Sequence, residues 1–146
     1  MTFHRYIAIG DSFTEGMCDD VVNGEFRGWA DRVADALAAA QPGFEYANLA
    51  VRGKLLHQVI TDQIPEAVTM PSGKETLITF HAGANDVLRP KYKSEVAFVE
   101  YRDAVKALTV TGATVVLFTV IETVDGKGKT ADMWVERSSL YHPQFQ

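Results

Sequence analysis

The chain has 146 residues, a formal net charge of -5 and a single cysteine. This length is typical of one domain, and a hydrophobic fraction of 47% is enough for a packed core. Basic residues do not cluster with aromatic residues, so the composition gives no support for a nucleic-acid partner. No apolar run approaches the roughly 20 residues that span a bilayer, and the residues at the start of this sequence lack the charged and apolar regions typical of a signal peptide. We expect a cytoplasmic protein with no membrane partner.

Apolar runs alternate with helical patterns along the first half of the chain. Residues 4–9 predict a strand, and the apolar spacing after it predicts a helix from Gly28 to just before Pro42. A second strand is predicted over residues 45–50. The apolar stripe over residues 55–64 predicts another helix, which Pro65 kinks or ends. The beginning of the chain is therefore typical of a βαβ unit.

The second half continues this alternation. Residues 76–82 predict a third strand, and residues 113–120 predict a fourth strand that is apolar throughout. Such a strand is expected to be buried on both faces, as in parallel sheets covered by helices. Four residues share one face of the helix between these strands: Phe98, Tyr101, Val105 and Leu108.

This pattern predicts an α/β fold, a three-layer α/β/α sandwich around a flavodoxin-like parallel sheet of order 2-1-3-4. After Ile121 the pattern fails, because residues 125–129 form a polar turn and no fifth strand follows. We expect one domain over residues 1–146, truncated after the fourth strand, with an atypical tail over residues 121–146. The fourth strand would then lie at an exposed edge that invites self-association.

Polar or glycine-containing turns follow the first three predicted strands. They are Gly10-Asp11-Ser12, residues 48–53 and residues 83–86. Since the carboxyl ends of parallel strands meet at one edge of the sheet, these turns should surround a single crevice. Ser12 is the first candidate nucleophile there, whereas Asp11 and Asp86 are expected to hold loops through hydrogen bonds.

These three turns resemble the first three sequence blocks of the SGNH hydrolases, also called GDSL-type lipases and esterases. The resemblance implies that Ser12 is the nucleophile of a serine esterase. It also implies an oxyanion hole formed by the main-chain N–H groups of Ser12 and Gly53 and the side-chain amide of Asn85. Preorganised donors of this kind lower the barrier by about 3 to 4 kcal/mol each. The implied substrate is a small-molecule carboxylic ester, with no cofactor and no metal ion.

The general base is the weak point of this interpretation. In the SGNH family a histidine in a late Asp-x-x-His motif activates the serine, and this chain has no such motif, because Ser139 stands three residues before His142. His142 is the preferred candidate base. His81 lies close to the active edge, but packing within its strand is the preferred interpretation for it. His4 and His57 are expected at the surface.

Two alternatives stay open. Losing the catalytic histidine of a serine hydrolase costs on the order of a million-fold in turnover, so the chain could be a catalytically impaired hydrolase-like domain. It could also be a flavodoxin-like ligand-binding module in which Ser12, Thr14 and Gly16 cradle a phosphate. That module leaves Asn85 unexplained. Arg52, Lys54 and Arg89 near the crevice either attract an anionic substrate or are simply solvated.

Overall fold

A computed structural model of the protein describes residues 2–17, 19–70 and 72–118. Its strands are β1 (Arg5–Gly10), β2 (Asp20–Val22), β3 (Glu25–Arg27), β4 (Glu45–Asn48), β5 (Thr76–His81) and β6 (Thr114–Leu117). Its helices are α1 (Ser12–Glu15), α2 (Trp29–Ala40), α3 (Leu56–Asp62), α4 (Ile64–Thr69), α5 (Ala84–Val87) and α6 (Ser94–Val110). None of the described helices is long and apolar enough to cross a membrane.

The main sheet is parallel and has the strand order β4-β1-β5-β6. Counted among these four strands alone, that order is 2-1-3-4, and the predicted α/β class is confirmed. β1 runs farther than β4, since its last pair with β4 joins Ala8 to Asn48 whereas its last pair with β5 joins Gly10 to His81. The end of β1 therefore has a strand on one side only.

Alternate residues of β1 face two separate hydrophobic clusters. Ile7 and Ile9 pack with α3, α4 and α6 on one face, and Tyr6 and Ala8 pack with α2 on the other. All four side chains are fully buried. Because a strand alternates its side chains between faces, a run that is apolar at every position fits a sheet covered by helices on both sides. β1 is thus an internal strand covered on both faces, and the turn that contains Ser12 follows it directly.

Glycine and proline residues mark the boundaries of the helices. α2 begins directly after Gly28, whose N–H donates to the Asp31 carboxylate at 2.7 Å, and it ends before Pro42 as predicted. The second helical stripe is divided into α3 and α4, which meet at Gln63. Pro65 causes the division, because proline has no N–H for an internal helical hydrogen bond but fits the first turn of a new helix.

Between α1 and α2 the structure contains an antiparallel hairpin, β2–β3, that the sequence analysis missed. Asn23 and Gly24 form its turn, with φ values of 54° and 84°. Asn-Gly between two short runs of strand-forming residues is a strong signal for a two-residue hairpin. The sequence therefore contained enough information to predict this hairpin.

The expectation that the fourth sheet strand is buried on both faces is wrong. Within β6 and just after it, Val116, Leu117 and Phe118 are 40%, 37% and 37% exposed. In the described part of the chain, β6 pairs with β5 on one side only. An apolar sequence reports what a strand could bury, whereas its position in the sheet decides what it does bury.

Candidate active site

The first candidate residue, Ser12, begins α1 directly beyond β1. Asp11 caps this helix by accepting a hydrogen bond from the Phe13 N–H at 3.2 Å. Ser12 is half-buried, and neither its N–H nor its hydroxyl forms a hydrogen bond within the described residues. No described residue therefore competes with a bound molecule for these two groups.

The second candidate, Gly53, lies in the loop after β4. Asn48 ties this loop to α1 by donating to the Thr14 carbonyl at 3.0 Å, and Arg52 donates from its main-chain N–H and its Nε to the Glu15 carboxylate at 3.0 Å. Gly53 has φ 75°, a left-handed conformation that favours glycine, and no heavy atom lies within 4 Å of the position of a Cβ. Its N–H has no hydrogen-bond partner among the described residues.

The third candidate, Asn85, joins the other two segments. Its Nδ2 donates to the Lys54 carbonyl at 2.9 Å and lies 3.4 Å from Asp11 Oδ2. Lys54 directly follows Gly53, and Asp11 directly precedes Ser12. One carboxamide nitrogen therefore reaches both of the other turns, which the sequence predicted would surround a single crevice.

The expectation that Asp11 and Asp86 hold loops is confirmed. Asp86 accepts a hydrogen bond from the Leu56 N–H at 2.7 Å, in addition to the contacts of Asp11 with Phe13 and Asn85. Burial raises the pKa of both carboxyl groups, because it disfavours the charged form. Main-chain N–H donors offset part of this increase in each case. Both groups act on the loops rather than facing the crevice freely.

His81 lies next to the site as the register partner of Gly10 on β5. Its ring packs between Phe13, at 4.9 Å between ring centroids, and Phe118, at 5.5 Å. Its Nδ1 is buried and has no hydrogen-bond partner among the described residues. Burial lowers the pKa of His81, and the nearby Asp11 carboxylate offsets this only in part. The preferred interpretation of a packed strand histidine is consistent with these contacts.

The other histidines fall elsewhere. His4 is exposed at the opposite end of β1, where its Nδ1 lies 3.0 Å from Gln41 Nε2, and His57 is exposed on α3. Both agree with the expected surface positions. His142, the preferred candidate base, lies outside the described residues, as do Cys18 and the tail over residues 121–146.

Arg52 and Lys54, two of the cations expected near the crevice, each pair with a carboxylate. Arg52 binds Glu15 at 3.0 Å and lies 4.6 Å above the ring of Phe26. Lys54 binds Asp62 at 2.7 Å. These carboxylates neutralise the charge of both side chains, so the idea that Arg52 and Lys54 attract an anionic substrate gains no support.

Metal and pocket geometry add little to this site. Within the three described segments, no group of three His, Cys, Asp or Glu side chains could hold a metal ion. A groove of about 310 Å³ lies between α3, α4 and α6, and its lining contains none of Ser12, Gly53 and Asn85. The three candidate site residues therefore lie outside this groove.

A parallel sheet with three interlocked turns at its carboxyl edge, one of them carrying an available serine, defines a hydrolase-like α/β protein. The chain belongs to the GDSL-like lipase/acylhydrolase family, whose model matches residues 8–142. This match confirms the resemblance found in the sequence. No match to a curated protein was found.

Solved structures with the same fold come from bacterial proteins of this kind. A member of the lipolytic G-D-S-L family from Veillonella parvula is 24% identical, with a TM-score of 0.65 over 96% of this chain and 71% of that chain. The psychrotrophic esterase EstA from a Pseudoalteromonas species is 17% identical, with a TM-score of 0.64 over 97% of this chain and 73% of that chain. At these identities the likeness shows the fold.

Proposed function

We propose that this protein is a serine esterase that cleaves small-molecule carboxylic esters through an acyl-enzyme on Ser12. The observation that carries the proposal is the position of Asn85 Nδ2, which lies 2.9 Å from the Lys54 carbonyl and 3.4 Å from Asp11 Oδ2. These contacts link Asn85 to the residues next to Ser12 and Gly53 in the chain, which supports a shared site for the three groups. Membership of the GDSL-like family supports the same reaction class.

In the proposed reaction the Ser12 hydroxyl attacks the ester carbonyl and a base takes its proton. The negative charge that develops on the carbonyl oxygen is stabilised by the N–H groups of Ser12 and Gly53 and by the Asn85 amide. The base returns the proton to the departing alcohol, which leaves the acyl group on Ser12. Water then attacks the acyl carbon, and the acid is released.

The geometry of Asn85 suits a donor of this kind. The 2.9 Å hydrogen bond to the Lys54 carbonyl orients the amide plane, while the 3.4 Å contact with Asp11 is too long for a strong bond. The second amide hydrogen, which Asp11 engages only weakly, is the proposed donor to the oxyanion. The amide is uncharged, so it does not hold the product acid in the site.

A cytoplasmic location of the protein stays a prediction. His142 is the proposed general base. The pKa of His81 is lowered by burial, so its ring is neutral at pH 7, but no described hydrogen bond joins it to Ser12. Free Ser12 and Gly53 donors together with Asn85 favour an ester-cleaving site over a phosphate-binding module, because that module assigns no role to Asn85.

Labelling with a p-nitrophenyl phosphonate tests the nucleophile, since this reagent releases nitrophenol only when an activated serine attacks it. A solved relative, EstA, was inhibited by monoethylphosphonate. We expect one equivalent of label by mass spectrometry, no label on Ser12→Ala, and a labelling rate reduced roughly 10² to 10³-fold in Asn85→Ala. Thr69→Ala, an exposed α4 residue, is the control.

Ester hydrolysis that persists in Ser12→Ala would reject the proposed nucleophile. The base is tested separately by comparing turnover in His142→Ala and His81→Ala. Stoichiometric labelling without measurable turnover of p-nitrophenyl acetate would identify the impaired hydrolase instead of the active one.

A further inference from the structure

Gln63 makes an unusual contact with the strand that carries the nucleophile turn. Gln63 is only 3% exposed and lies at the break between α3 and α4. Gln63 Oε1 accepts a hydrogen bond from the Gly10 N–H at 2.9 Å, and Gln63 Nε2 donates to the Gly10 carbonyl at 2.9 Å. Both polar groups of one side chain are thus used on one main-chain residue, 53 positions away.

The sheet geometry explains why Gly10 needs this partner. In a parallel sheet the N–H and the C=O of one residue point toward the same neighbouring strand. Ala8 accepts from the Leu49 N–H at 2.9 Å, so Gly10, two residues later, points its polar groups to the same side. β4 has already ended there, and only the Val51 N–H still reaches the Gly10 carbonyl, at 3.3 Å. Gln63 takes the place of the missing strand.

Gly10 is confined from the other direction as well. A Cβ on Gly10 would lie 2.5 Å from both the His81 carbonyl oxygen and Thr14 Oγ1, so no larger residue fits. The peptide between Gly10 and Asp11 is therefore held on one side by packing and on the other by the Gln63 carboxamide. Ser12 follows it by one residue, on a helix of only four residues that cannot position itself.

We propose that Gln63 is a positioning residue for the nucleophile, which fixes the Gly10–Asp11 peptide and thereby the direction of the Ser12 hydroxyl. The inference rests on the proposed esterase function. Placement of the attacking atom strongly affects the rate, since a displacement of about 1 Å can cost 10²-fold.

The chemistry of the contact provides a specific test. A carboxamide supplies one acceptor and one donor, whereas an ionised carboxylate only accepts and would repel the Gly10 carbonyl. A protonated carboxylic acid again supplies both. Since burial raises the pKa of a carboxyl group, the variant Gln63→Glu should regain the contact as the pH falls. Gln63→Met keeps the size and has neither group.

The experiment measures the second-order rate of phosphonate labelling from pH 5 to 8 in the wild type and three variants. We expect Gln63→Met to label about ten- to a hundredfold more slowly while keeping the wild-type far-ultraviolet circular dichroism spectrum. We expect the ratio of the Gln63→Glu rate to the wild-type rate to rise at least severalfold as the pH falls. Gln58→Glu is the matched control, because exposed Gln58 only caps α3 through Leu55 and its ratio should stay constant.

Three outcomes would overturn the inference. Gln63→Met could label at the wild-type rate despite a lower melting temperature, which would make the contact purely structural. The Gln63→Glu ratio could be independent of pH. No labelling of the folded wild type would reject the nucleophile and its positioning together; slow exchange of the Gly10 amide hydrogen, lost in Gln63→Met, would then show that the contact exists without a catalytic role.

Discussion

His81 illustrates how a single buried side chain couples the site to pH. Its imidazole packs between Phe13 and Phe118, and the only charged group that acts on it within the described residues is Asp11. Burial outweighs the attraction of that carboxylate and lowers the pKa of His81 below its usual value near 6.5. The folded protein therefore resists protonation of this ring.

We expect the free energy of unfolding to decrease as the pH falls below about 6.5, because the unfolded chain then binds a proton at His81 that the folded chain excludes. The slope is at most about 1.4 kcal/mol per pH unit for one group. The raised pKa of Asp11 has the opposite sign: above 3.8 the folded state holds its proton more readily, so that contribution increases as the pH falls. Urea unfolding at a series of pH values measures the sum.

His81→Phe should flatten the decrease between pH 7 and 5.5, since phenylalanine has no group to protonate and suits the aromatic surroundings. His57→Gln, at an exposed position on α3, should leave the slope unchanged. If the free energy of unfolding of His81→Phe decreases with falling pH as steeply as that of the wild type, another titratable group causes the decrease.

The relation between α1 and α2 depends on two glycines that touch. Gly16 ends α1 with φ 91°, and a Cβ there would lie 2.6 Å from the Gly28 nitrogen and 2.8 Å from the Gly28 Cα, at the start of α2. Gly24 in the hairpin turn has a similar φ of 84°, but a Cβ there would meet no heavy atom within 4 Å. The two positions separate backbone strain from a clash between helices.

Gly24→Ala should destabilise the protein by about 1 kcal/mol, the cost of a left-handed conformation for a residue with a Cβ. Gly16→Ala should cost roughly 2 to 4 kcal/mol, because overpacking adds to that strain. Urea unfolding midpoints measure both variants. Equal losses of stability in the two variants would mean that α1 and α2 can move apart at no cost. The contact between Gly16 and Gly28 would then not hold α1 in place.

At the scale of the whole molecule, the edge of the main sheet leads to a prediction about self-association. β6 pairs with β5 alone among the described strands, and its Val116 and Leu117 side chains are substantially exposed. Exposed apolar edge strands offer unpaired main-chain groups to a second chain, and charged residues on them oppose such pairing.

We expect concentration-dependent self-association in sedimentation velocity, reduced by Val116→Lys. Val99→Lys is the control, because Val99 is similarly exposed, at 45% against 40% for Val116, but lies on α6 rather than at the sheet edge. A wild type that sediments as a monomer at all concentrations would contradict the expectation, and an equal effect of both variants would point to general solubility instead.

Much of this fold could be predicted from local signals. Apolar runs predicted the buried strands, and Gly28 and Pro65 marked helix boundaries. The polar turns after three strands indicated the carboxyl edge of the sheet. The β2–β3 hairpin was missed although Asn23 and Gly24 signalled it. Gln63 gave no usable signal, because a glutamine two residues before a proline looks like an ordinary surface residue until its partner 53 positions away is known.

The sequence by itself determined the order of the four main-sheet strands along the chain, the α/β class and the three turns that contain Ser12, Gly53 and Asn85, since each of these depends on neighbours within a few residues. Only the tertiary structure decided that Asn85 reaches the other two turns, that Gln63 completes the end of β1 and that β6 is half exposed. These features depend on which distant groups meet, and a parallel sheet brings together strand ends that lie tens of residues apart.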